Sequence, residues 1–204
     1  MVVGVPDGSG KTTFVEFLKG VGLAFHTHIN ADDIAVTLQG GTVDDRARKA
    51  QAEAAGLRDA ALHARASFSY ETVMSHPSHV ELMRRARAGG YFVRLIFVGI
   101  DNPAINVARV ANRVALGGHD VPTDRFRERY RRTMDESILE AVLAADESLV
   151  FDNSYGPGGQ PFRVAHVIGR YARLYAPVGI GWPKRCLFDK LRAHGDFTLV
   201  EENR

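Results

Sequence analysis

Eight residues near the start of the chain, Val5-Pro6-Asp7-Gly8-Ser9-Gly10-Lys11-Thr12, come within one position of the pattern G-x-x-x-x-G-K-[ST]. Gly8 and Gly10 let the backbone turn its N–H groups inward around an anion, and a helix beginning at Lys11 adds the positive end of its dipole. In such a turn the residues from Asp7 to Thr13 surround phosphate. Lys11 reaches the β- and γ-phosphates, and Thr12 offers its hydroxyl to Mg2+. The chemistry these residues suit is the handling of ATP with Mg2+ as its cofactor. One departure stands out: Val5 replaces the first glycine of the pattern, with Gly4 one place earlier. Extended backbone accepts a valine there, whereas a positive φ would not.

Arginines form the second set. Residues 109 to 132 hold seven arginines against Asp120, Asp124 and Glu128, a local balance of +4 in a chain whose net charge is +2. Arg109 and Arg113 are spaced i, i+4, as are Arg125 and Arg129, so each pair shares a helical face. The Gly117-Gly118 break between them predicts a helix–turn–helix lid over about 109–132. Guanidinium forks stabilise the charge that gathers on the equatorial oxygens of a transferring phosphoryl group. Arg113 and Arg129 are the first candidates for that role and Arg109 the third. Arg125, Arg127, Arg131 and Arg132 read as solvated helix charges. His119, in the turn after the glycine pair, reads either as a substrate contact or as a structural turn residue.

Carboxylates complete the constellation. Asp32 stands just past the second expected strand, where open α/β sheets place their ligands, and a carboxylate there can deprotonate an acceptor hydroxyl. Asp33 competes for that role, and Asp32 could instead cap the helix through Ile34 to Leu38. Glu71 and Thr72 end the third strand; Glu71 can hold acceptor hydroxyls or reach Mg2+ through water, and Thr72 can hydrogen-bond substrate. Asp101 follows the run Leu95 to Ile100 and resembles a metal-supporting acid, although Asn102-Pro103 beside it also reads as a helix start. Asn153, in Asp152-Asn153-Ser154, falls where the adenine loop of P-loop kinases lies, or in a plain turn after a strand.

These residues are positioned by alternating elements. Strands are expected at Val2–Val5, Ala24–Ile29, Ser67–Val73, Tyr91–Ile100 and Leu149–Asp152. Helices are expected at Lys11–Leu18, from Thr42 to Ala66, at Val80–Ala88, around Ala104–Leu116 and at Pro122–Ala144. The long second helix carries the stripe Ala47, Ala50, Ala54, Leu57 and Ala61, with Thr42 and Asp45 as its cap, while Gly89-Gly90 stops the third. Strands separated by helices imply a parallel sheet covered on both faces, an α/β fold. Pro161 to Tyr175 holds a strand or hairpin and Pro183 to Ala193 a closing helix.

The 204 residues, 45% hydrophobic and 25% charged, suit one globular domain, 1–204, with a C-terminal extension over about 156–204. No apolar run approaches the ~20 residues of a membrane helix, and the opening residues lack the basic start of a signal peptide, so the expected setting is cytoplasmic, away from membrane. A single cysteine, Cys186, excludes an internal disulfide. The basic charge is too local for a nucleic-acid face. Trp182, Cys186 and the Arg84, Arg85, Arg87 cluster read as packing, packing and solvated surface.

Taken in order, Asn30-Ala31-Asp32-Asp33-Ile34, Glu71-Thr72, Arg109-Val110, Arg113-Val114, Gly117-Gly118-His119-Asp120-Val121-Pro122, Arg129-Tyr130 and Phe151-Asp152-Asn153-Ser154 resemble the zeta-toxin-like P-loop kinases over roughly residues 2 to 155. The resemblance implies a P-loop NTPase with a parallel five-stranded sheet and transfer of the ATP γ-phosphate to a hydroxyl of a small molecule. Toxin members phosphorylate sugar nucleotides such as UDP-N-acetylglucosamine, and some members have an antitoxin partner. Asp32 aligns with the family's catalytic Asp. The toxin-type members carry an Arg shortly after that acid, where this chain has Asp33, Ile34 and Ala35. The alternative reading is a nucleotide-gated ATP-binding module, or a weak ATPase with no dedicated acceptor.

Overall fold

The structure is a computed structural model, and it describes residues 1–6, 14, 27–102, 123–154, 161–176 and 179–203. Its centre is an eight-stranded sheet of order β2-β3-β1-β4-β5-β6-β7-β8. Five strands run parallel: β1 (Val2–Gly4), β2 (Thr27–Ile29), β3 (Phe68–Thr72), β4 (Arg94–Gly99) and β5 (Glu147–Asp152). β6 (Phe162–Ile168) and β7 (Tyr171–Ala176) add antiparallel, and β8 (Thr198–Asn203) pairs parallel with β7. The expected five parallel strands are present, but the sheet has eight. Residues 161 to 203 enlarge it, with a hairpin where a strand or hairpin was expected and an edge strand beyond the expected closing helix.

β4 is buried along nearly its whole length because Leu95, Ile96, Phe97 and Val98 face covered layers on both sides. One layer packs Val2, Tyr70, Leu95 and Phe97 against helices and Trp182; the other packs Val3, Val5, Ile96 and Val98 against Phe14 and Phe151. Phe14 sets its ring edge-on to Phe151, 5.1 Å between centroids. The strand begins three residues later than expected. Tyr91 turns away and donates its hydroxyl to Ala61 O at 3.1 Å, at the end of the long helix.

Of the helices, α1 spans Ala31–Thr37, α2 Val43–His63 and α3 Ser78–Ala88. The reciprocal cap at the start of α2 is formed: Thr42 Oγ1 accepts the Asp45 N–H at 3.1 Å, and Asp45 Oδ2 accepts the Thr42 N–H at 3.2 Å. Its buried stripe is Ala50, Ala54 and Arg58, not the all-apolar one expected; Leu57 is exposed, and Arg58 lays its guanidinium 5.0 Å over the Tyr70 ring. Arg84, Arg85 and Arg87 on α3 pair with Glu140, Asp59 and Asp146 at the surface. α4 (Thr123–Arg131) runs through a π-helical stretch, Arg132–Ser137, into α5 (Ile138–Ala144); a second π-helical stretch, Lys184–Phe188, leads into α6 (Asp189–His194). Among the described residues no helix is long and apolar enough to cross a membrane.

β1 lies between β3 and β4, so the strand order reverses at β1. In open α/β sheets, ligands bind outside the carboxyl ends of the strands at such a reversal. In the sequence, the glycine-rich stretch that begins at Val5 follows β1 directly.

Candidate functional site

Val5 continues the line of β1. Its N–H donates to Thr72 O at 2.9 Å, it is fully buried, and the non-glycine residues of positive φ among those described are Arg65 and Met74. The valine in place of the pattern's first glycine therefore sits in unstrained backbone. Gly4 before it is closely packed: a Cβ there would lie 3.1 Å from Met74 Cε and 3.2 Å from Phe97 Cδ2. Asp7, Gly8, Ser9, Gly10, Lys11, Thr12 and Thr13 lie outside the described residues, as do Arg109, Arg113 and His119.

At the end of β2, Asn30 holds extended backbone and its Oδ1 accepts the Asp32 N–H at 2.9 Å. Asn30 is thus the cap of α1, which removes capping as the reason for Asp32. Asp32 and Asp33 both occupy the first turn of α1 and both are exposed, so either carboxylate is accessible from the carboxyl edge.

β3 brings Glu71 to the same edge, in register with Val3 of β1. Its Oε1 is 3.1 Å from His28 Nε2, and His28 Nδ1 is 2.9 Å from Ser69 Oγ. The Glu71 side chain keeps 12% of its surface exposed. Thr72 is buried, and its Oγ1 accepts the N–H of Met74 at 3.0 Å. That hydrogen bond closes a turn in which Met74, itself buried, has φ +60°. A left-handed methionine next to the strand end is a local strain held by its surroundings. No sequence pattern pointed to His28.

Arg129 stands on α4, exposed, just ahead of two anchors. Tyr130 donates its hydroxyl to Ile100 O at 2.5 Å, at the end of β4. Burial, with the Cys186 thiol beside it, holds that phenol above the ordinary range, so it remains a donor. Thr133 Oγ1 lies 2.9 Å from Val73 O, just past β3, and 2.8 Å from Arg129 O, its one proton serving these two carbonyls. The base of the arginine helix is thereby fastened to the ends of β3 and β4, and the π-helical stretch that follows widens the turn in which Thr133 sits. Arg131 pairs with Glu136 and Arg132 with Glu128, as suits solvated helix charges.

The ends of β4 and β5 are joined through the C-terminal segment. Asn153 donates its N–H to Gly99 O at 2.9 Å. Asp152, fully buried, accepts from Ser154 N at 2.8 Å, Ser154 Oγ at 2.7 Å and Trp182 Nε1 at 2.6 Å. Three donors satisfy a carboxylate that would otherwise be costly to bury. Trp182 is more than packing, and its N–H to Asp152 spans 30 positions with no periodicity to announce it.

No group of three or more His, Cys, Asp or Glu side chains among the described residues forms a metal cage. The donors in hand are the Thr12 hydroxyl by sequence and the Glu71 carboxylate, with one oxygen on His28. Such a set fits Mg2+ that keeps most of its water and leans on phosphate oxygens.

The family model described as Zeta toxin matches residues 1–154. An uncharacterized protein of Haemophilus influenzae is 32% identical over 124 residues, covering 61% of this chain and 86% of that one. Among solved structures, one from the PezAT chromosomal toxin–antitoxin system of Streptococcus pneumoniae superposes with a TM-score of 0.53 at 12% identity, covering 74% of this chain and 66% of that one. The AvrRxo1-ORF1:AvrRxo1-ORF2 structure superposes with a TM-score of 0.56 at 14% identity, covering 94% of this chain and 63% of that one. The chain thus spans about two thirds of the length of these two structures, and at such identities they speak to the fold alone.

Proposed function

The chain belongs to the zeta toxin family, and on that premise we propose that it is an ATP-dependent kinase that moves the γ-phosphate onto a hydroxyl of a small molecule. The observation that carries this reading is convergence at one sheet edge. The phosphate-binding stretch follows β1 in sequence, and the strand order reverses at β1; Asp32 and Glu71 follow from β2 and β3, and Tyr130 and Thr133 fasten the helix of Arg129 to the ends of β4 and β3.

In this reading the backbone of Asp7 to Thr13 and the Lys11 ammonium hold the triphosphate, with Asn153 near the base. Thr12, with Glu71 through water, would hold Mg2+, which screens the phosphate charge when bound. Glu71 and Thr72 line the acceptor side, with Arg109 and His119 proposed there from sequence. Asp32 takes the proton of the acceptor hydroxyl. The oxygen forms its bond to the γ-phosphorus as the bond to the β,γ-bridging oxygen breaks, and ADP leaves with that electron pair. Arg129, and Arg113 by sequence, stabilise the equatorial oxygens; one such arginine is worth about 10³-fold or more in rate. Val5 in relaxed backbone removes the argument for a crippled nucleotide loop. The run Asp33, Ile34, Ala35 lacks the arginine of toxin-type members, which argues against the toxin substrate, so sugar nucleotides are one class among several to try.

Incubation with γ-labelled ATP and a panel of sugar nucleotides, nucleosides, antibiotics and short oligonucleotides tests this. Asp32→Ala is expected to lose transfer by about 10²-fold or more while Mg-ATP still raises its melting temperature. Lys11→Ala is expected to lose the Mg-ATP shift. Equal transfer by wild type and Asp32→Ala removes Asp32 as the base.

A further inference from the structure

Asp101, at the end of β4, is hydrogen-bonded to three stretches that are distant in sequence. Its Oδ1 accepts the backbone N–H groups of Gly181 at 3.0 Å and Trp182 at 2.9 Å. Its own N–H donates to Ser154 Oγ at 2.9 Å, in the turn that contains Asn153. Its carbonyl oxygen lies 3.2 Å from the Tyr130 hydroxyl, the anchor of the helix that carries Arg129. Trp182 ties the same parts together from the other side. Its indole N–H reaches Asp152, and its six-membered ring lies so close to Gly99 that a Cβ there would come within 2.5 Å of it.

We propose that Asp101 is a positioning residue and not a metal acid. It is the joint through which the segment beyond the family match, at Gly181-Trp182, holds the base of α4 and the turn at Asn153 in register. The joint itself rests on geometry; what Arg129 and Asn153 do with it rests on the kinase reading above. The oxygen of Asp101 that takes two backbone amides is spent on the protein. Amide donors require an acceptor, not a charge, so an asparagine oxygen serves them nearly as well. A carboxylate acting on Mg2+, directly or through water, depends on its charge and does not survive that replacement. The conservative variant therefore separates the two roles.

The experiment compares full-length wild type, Asp101→Asn and Asp101→Ala. Trp182 is the chain's one tryptophan, so intrinsic emission reports directly on the joint. ADP formation from Mg-ATP, the Mg2+ concentration giving half the maximal rate, and the Mg-ATP affinity from thermal shifts are measured alongside. Asp101→Asn is expected to keep the wild-type emission maximum and Mg2+ dependence, with ADP formation within about threefold of wild type. Asp101→Ala is expected to move the emission to the red and to slow ADP formation by about tenfold or more. A tenfold loss in Asp101→Asn, or a raised Mg2+ requirement with unmoved emission, would overturn the proposal in favour of an acid that serves the metal. Wild-type emission and rate in Asp101→Ala would overturn it as well. If Asp101→Ala does not fold, Tyr130→Phe takes its place: a rate about fivefold lower at unchanged Mg-ATP affinity supports the joint, and an unchanged rate contradicts it. A wild-type protein that neither binds Mg-ATP nor forms ADP would sink the kinase reading, while the emission of the two Asp101 variants would still decide the joint.

Discussion

Glu71 on β3 is held by His28 on the edge strand β2, with Oε1 and Nε2 3.1 Å apart. The other ring nitrogen is 2.9 Å from Ser69 Oγ. In the neutral ring one tautomer serves both contacts, with Nε2–H donating to the carboxylate and Nδ1 accepting the serine proton. Ser69 and His28 thus fix the direction of a carboxylate that, on the proposed kinase reading, serves the acceptor. His28→Phe keeps the ring and loses both hydrogen bonds. We expect the KM for the acceptor to rise about fivefold to tenfold with the KM for ATP held within about twofold, as suits a lost bond to a charged group. Equal changes in both KM values would remove the aiming of Glu71 from the account.

Gly99 faces Trp182 with no room between them: a Cβ would lie 2.5 Å from Cζ2 and 2.7 Å from Cη2. Gly99→Ala must displace a fully buried indole, at a cost of about 1–3 kcal/mol. Gly56, in the middle of α2, has no atom within 4 Å of the same construction. Gly56→Ala is expected to gain about 0.5–1 kcal/mol by relieving a helix of its most flexible residue. Denaturant midpoints for the two variants should move in opposite directions. A neutral Gly99→Ala would contradict the close seat of Trp182 on Gly99.

His79 stacks on Tyr70, with centroids 5.9 Å apart, and burial, with Arg58 and His76 nearby, holds its imidazole down to about 4. The unfolded chain takes up that proton near 6.5. Between these values the unfolded state binds the extra proton, so the stability is whole above pH 6.5 and falls as the pH drops toward 4. Denaturant curves at pH 7.5, 6, 5 and 4 should show about 3 kcal/mol of this loss in the wild type that His79→Gln lacks. Parallel curves for the two proteins would contradict it.

Much of this was readable from residue order. The apolar β-formers of β4, the Thr42–Asp45 cap and the glycine pair after α3 each act locally, and each sits where its local chemistry puts it. Other features answer to tertiary contacts that no spacing displays. Arg58 joins a buried stripe because the Tyr70 ring receives its guanidinium, and Tyr91 leaves the strand because the end of α2 offers carbonyls. Asn30 is the cap that Asp32 is also suited to be by type, because the helix starts directly where β2 ends, two residues before the start that Asp32 would cap. At the candidate site, Asp32 and Glu71 stand at the carboxyl edge of the sheet, as their order along the chain implies, and Arg129 stands on the helix its spacing implies. The residues that hold them, His28, Tyr130, Thr133 and Trp182, were not legible from order, since each works through a partner on another element.

The kinase reading stands on the destination of one phosphorus atom. Phosphorus NMR of the protein with Mg-ATP and each member of the acceptor panel follows that atom directly. The account predicts a new phosphomonoester resonance growing in equal measure with ADP for one class of acceptor, and its loss in Asp32→Ala. Inorganic phosphate as the sole product with every acceptor, or an ATP spectrum that never changes, would contradict it.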